Sequence, residues 1–159
     1  MCSYLNVYFC LIHYLVMEVE FIHREDGQVD AQIIGDWPLF NHALGDSISS
    51  LPHRGEEGNG PSTYWIDHAI TGAQNSAAQN NLKPFITGNS TQLSYKNNEI
   101  IASYDHDELD FSSDVTAITE SIPFNDFIHI LEQWKLLVIE SANKHTEPLP
   151  ETYRRNPLT

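Results

Sequence analysis

Ser121–Ser141 constrains this chain more tightly than any other stretch. Phe124, Phe127, Ile128, Leu131, Trp134 and Val138 follow the i, i+3, i+4, i+7 spacing of a buried helix face. Asn125, Asp126, His129, Glu132 and Gln133 fall on the opposite side. Pro123 suits a first helical turn, where its missing N–H costs nothing, and Asp126 sets negative charge at the positive end of the helix dipole. At about 100° per residue the apolar arc spans roughly 200°, wider than a surface helix needs. The pattern predicts a helix packed on two sides. Lys135 lies inside that arc, so its stem is expected along the core with the ammonium in water.

A length of 159 residues, 41% hydrophobic and 19% charged, suits one globular domain rather than a disordered chain. Charge is lopsided: 22 Asp and Glu oppose 8 Lys and Arg, for a net −14. Nucleic acid and anionic membranes both recruit positive charge, so direct binding to either is disfavoured. The same charge favours solubility and steered association with a basic partner. The two cysteines, Cys2 and Cys10, form no metal or redox spacing and imply no disulfide framework. A reducing cytoplasm is the expected setting.

Met1–Val16 carries no Asp, Glu, Lys or Arg. It lacks the basic start and small-residue cleavage site of a signal peptide. It is also shorter than the about 20 apolar residues of a membrane span, and Asn6 and His13 interrupt it. Two readings stand: an extra strand or helix on the core, or an extension upstream of a true start at Met17. The expected organisation is therefore an apolar extension at 1–16, a single domain at 17–145, and a tail at 146–159 holding Pro148, Pro150, Pro157 and Arg154-Arg155.

From Met17 the domain opens with alternating Val19 and Phe21, a turn at Asp26-Gly27, and a returning strand over Gln28–Ile34. Asp36 is the expected N-cap of a helix marked by Leu39, Phe40, Ala43, Leu44, Ser47, Ile48 and Leu51, ended by Pro52. The Gly-rich residues 52–61 read as a loop without phosphate-binding spacing. A second helix, capped by Ser62 or Thr63, is expected to run from Tyr64 to about Ala78. Three strands follow, Thr91–Tyr95, Glu99–Tyr104 and Asp114–Ile122, the last with Val115, Ala117 and Thr119 on one face. The sum is an α+β fold: a mostly antiparallel sheet of about five strands, with two to three helices in a single layer on one face.

No Lys or Arg occurs between Asn97 and Trp134, whereas Glu99, Asp105, Asp107, Glu108, Asp110, Asp114, Glu120, Asp126 and Glu132 all do. Uncompensated charge held on a sheet stores repulsion, which a bound partner or ion relieves. Asp105, Asp107 and the out-of-step Asp110 approach a calcium loop, but no glycine stands at the turn. A metal-dependent enzyme using His106 and the neighbouring acids is an alternative without diagnostic spacing. A docking surface for a basic protein, or a generic acidic protein-interaction module, needs nothing that is missing. Nucleophilic catalysis has no Gly-x-Ser-x-Gly elbow here, and His42, His68 and His129 read as surface histidines on helices. Glu56 and Glu57 read as solvated loop acids, and Trp37, Tyr64 and Trp65 as core. No catalytic residue, metal ligand or cofactor is assigned.

Ile122, Phe127, Leu131 and Trp134, with Tyr104 and Leu109-Asp110-Phe111 before them, resemble the C-terminal signature of small bacterial immunity proteins. That family serves polymorphic-toxin and contact-dependent growth inhibition systems. The resemblance covers about 35 residues, and most of its motif is helix packing. It implies an α+β fold, no catalysis, and a cytoplasmic role in binding and blocking one cognate toxin domain. A nuclease toxin has a basic active face, which an acidic inhibitor complements. The expected partner-binding residues are Asp105, Asp107, Glu108, Asp110, Asp114, Asp126, His129 and Glu132.

Overall fold

Asp26-Gly27 turns the first strand pair, with Gly27 at φ +87°, where a side chain is disfavoured. In the computed structural model, which describes residues 17–54, 56, 60–104 and 118–144, β1 (Val19–His23) pairs antiparallel with β2 (Val29–Ile33). The expected hairpin is there. Val29, Ala31 and Ile33 are buried, and Val19 and Phe21 lie beside them on the same face, opposite Ile33 and Ala31. The N-terminal extension, the acids at 105–114 and the C-terminal tail lie outside the described residues.

Helix α1 (Pro38–Asp46) differs from expectation at both ends. Its N-cap is Trp37, not Asp36, and no side chain of its own segment caps it. The Leu39 and Phe40 amides instead donate to Glu120 Oε1 and Oε2, at 3.0 Å each. The helix stops at Asp46, although apolar spacing continues to Leu51. Ile48 remains buried through a non-helical turn, while Leu51 is 55% exposed.

Helix α2 (Tyr64–Gln79) ends at Asn80, which adopts the left-handed conformation at φ +48°. Thr63 holds the N-cap position without capping through its side chain, and the Tyr64 amide donates to Ser62 Oγ. A short strand unanticipated from sequence, β3 (Ile86–Thr87), pairs with β4 (Thr91–Lys96). Between β4 and β5 (Glu99–Tyr104) the turn residues Asn97 and Asn98 both take positive φ, as a two-residue hairpin turn of this type requires. β6 (Thr119–Pro123) completes the sheet in the order β3-β4-β5-β6.

Among the described residues the strands form two antiparallel sheets, of two and four strands, rather than one of about five. With the three helices among the described residues the α+β expectation holds. Of the strand expected over Asp114–Ile122, residues 114–117 lie outside the described residues, and β6 runs on to Pro123. Ile122 is buried opposite Ile100 and Glu120 lies opposite Ala102, whereas Thr119 is exposed. Glu120, on the same face as buried Ile122, finds backbone donors there.

Pro123 ends β6 rather than entering the helix, and α3 (Phe124–Lys144) follows directly. Phe127, Ile130, Leu131, Trp134, Val138 and Ser141 are its buried residues. It packs against α2 on one side and against β2, β5 and β6 on the other, as its wide apolar arc demands. Two buried polar contacts tie it to the hairpin. Trp134 Nε1 donates to the Val29 carbonyl at 2.7 Å, and Ser141 Oγ donates to the Gly27 carbonyl at 2.6 Å. Lys135 is half-exposed, and its ammonium meets Asp67 Oδ1 at 2.5 Å.

Candidate partner-docking surface

Helix periodicity places Asp126, His129, Glu132 and Gln133 away from the core, since Phe127, Ile130, Leu131 and Trp134 take the buried arc. Asp126 is half-buried in the first turn of α3, where the helix dipole favours its charge. His129, Glu132 and Gln133 are exposed. Among the described residues the ion pairs are Arg24–Asp30, Lys135–Asp67 and Lys144–Glu140. Asp126 and Glu132 belong to none of these pairs. Leu136 is 60% and Ile139 41% exposed on the same outward side.

Where α3 passes β1, a cleft of about 230 Å³ opens between them. Met17, Val19, Phe21 and Ile130 supply its apolar lining, and Asp126, His129 and Gln133 its polar lining. Of the anticipated partner-binding residues, the structure therefore brings Asp126 and His129 together at one concavity. Glu132 lies on the adjoining exposed face of α3. Asp105, Asp107, Glu108, Asp110 and Asp114 fall outside the described residues, as does His106. Met17, Val19 and Phe21 were missed as site residues. The alternation of Val19 and Phe21 is visible in the sequence, but only tertiary packing sets that row beside α3.

The other acids divide by role. Glu120, counted with the acidic run, is a structural cap of α1. Glu99 is exposed on β5, opposite Lys96 of β4. Glu140 is exposed, and the hydrogen bond and charge of Lys144 hold its carboxyl below the ordinary glutamate range.

A second, more open concavity of about 350 Å³ is lined by Glu56, Thr63, Tyr64, Asp67, His68 and Thr71. Here the expectation that Tyr64 and Trp65 are core residues fails. Tyr64 is 38% exposed and stacks on His53 at 4.1 Å between ring centroids, with Trp65 edge-on to both. Trp37 is half-buried against Phe40. Glu56 holds this corner in place: its two oxygens accept from the His53 amide at 2.8 Å and the Ser62 hydroxyl at 2.9 Å. Asp67 is likewise occupied, by Lys135 and by the Thr63 hydroxyl. Both carboxylates serve local structure.

Among the described residues, no group of three or more His, Cys, Asp or Glu is placed to hold a metal ion. No helix among them is long and apolar enough to cross a membrane. Comparison of the chain with protein-family models, with curated proteins and with solved structures gave no match.

Proposed function

We propose that this protein is an immunity-like inhibitor that acts in the cytoplasm without catalysis. It binds and neutralises a cognate, basic, nuclease-type toxin domain through an acidic surface. The observation that carries the reading is the outward stripe of α3. Asp126, His129, Glu132 and Gln133 stand there with exposed Leu136 and Ile139, and neither Asp126 nor Glu132 has a cation partner among the described residues. Negative charge mixed with exposed apolar side chains suits a protein–protein interface with a basic partner. The net charge of −14 supports the same sign of partner. The resemblance at Ile122, Phe127, Leu131 and Trp134 names the partner class, and these four buried side chains serve as scaffold.

The test seeks a toxin domain in the gene immediately upstream and measures its binding calorimetrically at low and at physiological salt. Charge reversal at Asp107, Glu108 and Asp110, or at Asp126 and Glu132, is expected to weaken binding, with wild-type affinity falling as salt rises. Unchanged affinity in both variants, or no protection of cells that express the toxin, overturns the reading.

A further inference from the structure

We propose that the cleft between β1 and α3 is an anchor site for one arginine side chain of the protein partner. The proposal rests on the docking function above and specifies its chemistry. Three features of the cleft select this occupant. Its volume, about 230 Å³, is below the about 300 Å³ at which small-molecule pockets begin. That space suits a single long side chain. Its apolar lining, Met17, Val19, Phe21 and Ile130, is matched by a hydrocarbon stem. Its polar lining contains Asp126, half-buried and without a side-chain hydrogen-bond partner among the described residues.

That carboxylate decides between occupants. A purely apolar plug would strip water from Asp126 and Gln133 and leave them unpaired, which is costly. An anionic group would meet the Asp126 charge directly. A guanidinium restores the lost hydration through paired N–H donors, and its flat face also packs on an aromatic ring such as Phe21. Lysine offers the charge without the fork. Glu132, exposed on the adjoining face of α3, adds charge of the matching sign.

The experiment titrates the full-length chain with N-acetyl-argininamide and records amide chemical shifts by NMR. Shifts are expected at residues 17–21 and 126–133. N-acetyl-norleucinamide, which keeps the stem and lacks the charge, is expected to bind about fivefold more weakly, the span of a half-exposed ion pair. Asp126→Asn is expected to lose the same factor for argininamide and none for norleucinamide. Equal binding of the two probes to the wild type, or argininamide shifts elsewhere, overturns the anchor. So does prior occupation of the cleft. Nuclear Overhauser contacts from Val19 or His129 to side chains of residues 1–16 would make the chain its own occupant, and probe-free shifts that depend on concentration would implicate a second copy. If reversal at Asp107, Glu108 and Asp110 abolishes toxin binding while Asp126→Asn leaves it intact, the anchor alone fails. If argininamide seats in the cleft and no toxin binds, the inhibitor reading alone fails.

Discussion

Trp134 and Val29 are joined by a buried 2.7 Å hydrogen bond from the indole N–H to a strand carbonyl. Both residues are fully buried, so neither group has water as an alternative. Trp134→Phe keeps an aromatic ring but leaves the Val29 carbonyl without this donor. A loss of about 1–3 kcal/mol is expected, read from the midpoint of denaturant unfolding. Trp134→Ala adds a cavity, and a loss of about 3–5 kcal/mol is expected.

Glu120 supplies to α1 what the segment before that helix does not. Its two oxygens occupy the amides of Leu39 and Phe40. Glu120→Ala removes a capping acceptor and a charge at the positive helix end together, for an expected loss of about 1–2 kcal/mol. Glu120→Gln, retaining one oxygen and the shape, is expected to fall between wild type and alanine. Thermal unfolding of the three proteins checks the order.

The interior was legible where order is local. The 3.6-residue period of Ser121–Ser141 identifies the buried side of α3, and Asp26-Gly27 marks the first hairpin, because each signal is carried by neighbours in sequence. The end of α1 misled because Ile48 is buried beyond the helix, so apolar spacing outlasted helical backbone. The role of Glu120 misled for a related reason. A carboxylate reads as outward-facing until distant amides are there to receive it. Half of the cleft was legible as the polar side of α3. Its other half, Met17, Val19 and Phe21, lies a hundred residues away in sequence and joins it only through packing.

Gly88 sits where a side chain has no room. A Cβ there would lie 1.9 Å from Ser47 Oγ and 2.6 Å from Asp46 Oδ2. Asp46 is committed in place, accepting from the Asn89 amide and side chain at 2.9 Å each. Gly88→Ala is therefore expected to destabilise by about 1–3 kcal/mol. Ser47 Oγ is buried without a hydrogen-bond partner among the described residues, so Ser47→Ala alone is expected to be neutral or stabilising. The double variant should recover part of the Gly88→Ala loss, since the nearest clashing atom is gone. Purely additive unfolding energies would refute that coupling.

Lys144 and Glu140 form an i,i+4 pair on the surface at 2.8 Å. The Lys144 hydrogen bond and charge lower the Glu140 titration, so the contribution of this pair is present at neutral pH. It fades as acid protonates Glu140 below the ordinary glutamate range. Lys144→Ala should move the Glu140 midpoint upward in an NMR titration, while stability barely changes, as expected for an exposed pair.

The Glu120 cap also bears on when this molecule can close. Its acceptors reach back 80 and 81 positions, the Trp134 bond 105 and the Ser141 bond 114. A ribosome releasing this chain exposes the β1–β2 hairpin and α1 well before the residues that complete them. Contacts of such span slow folding, since a long loop must close before any is rewarded. The nascent hairpin shows its apolar side to the cell until α3 emerges. Helix α3 therefore acts as a latch, and a chain stopped before Trp134 would present a sticky, unfinished surface to chaperones and proteases.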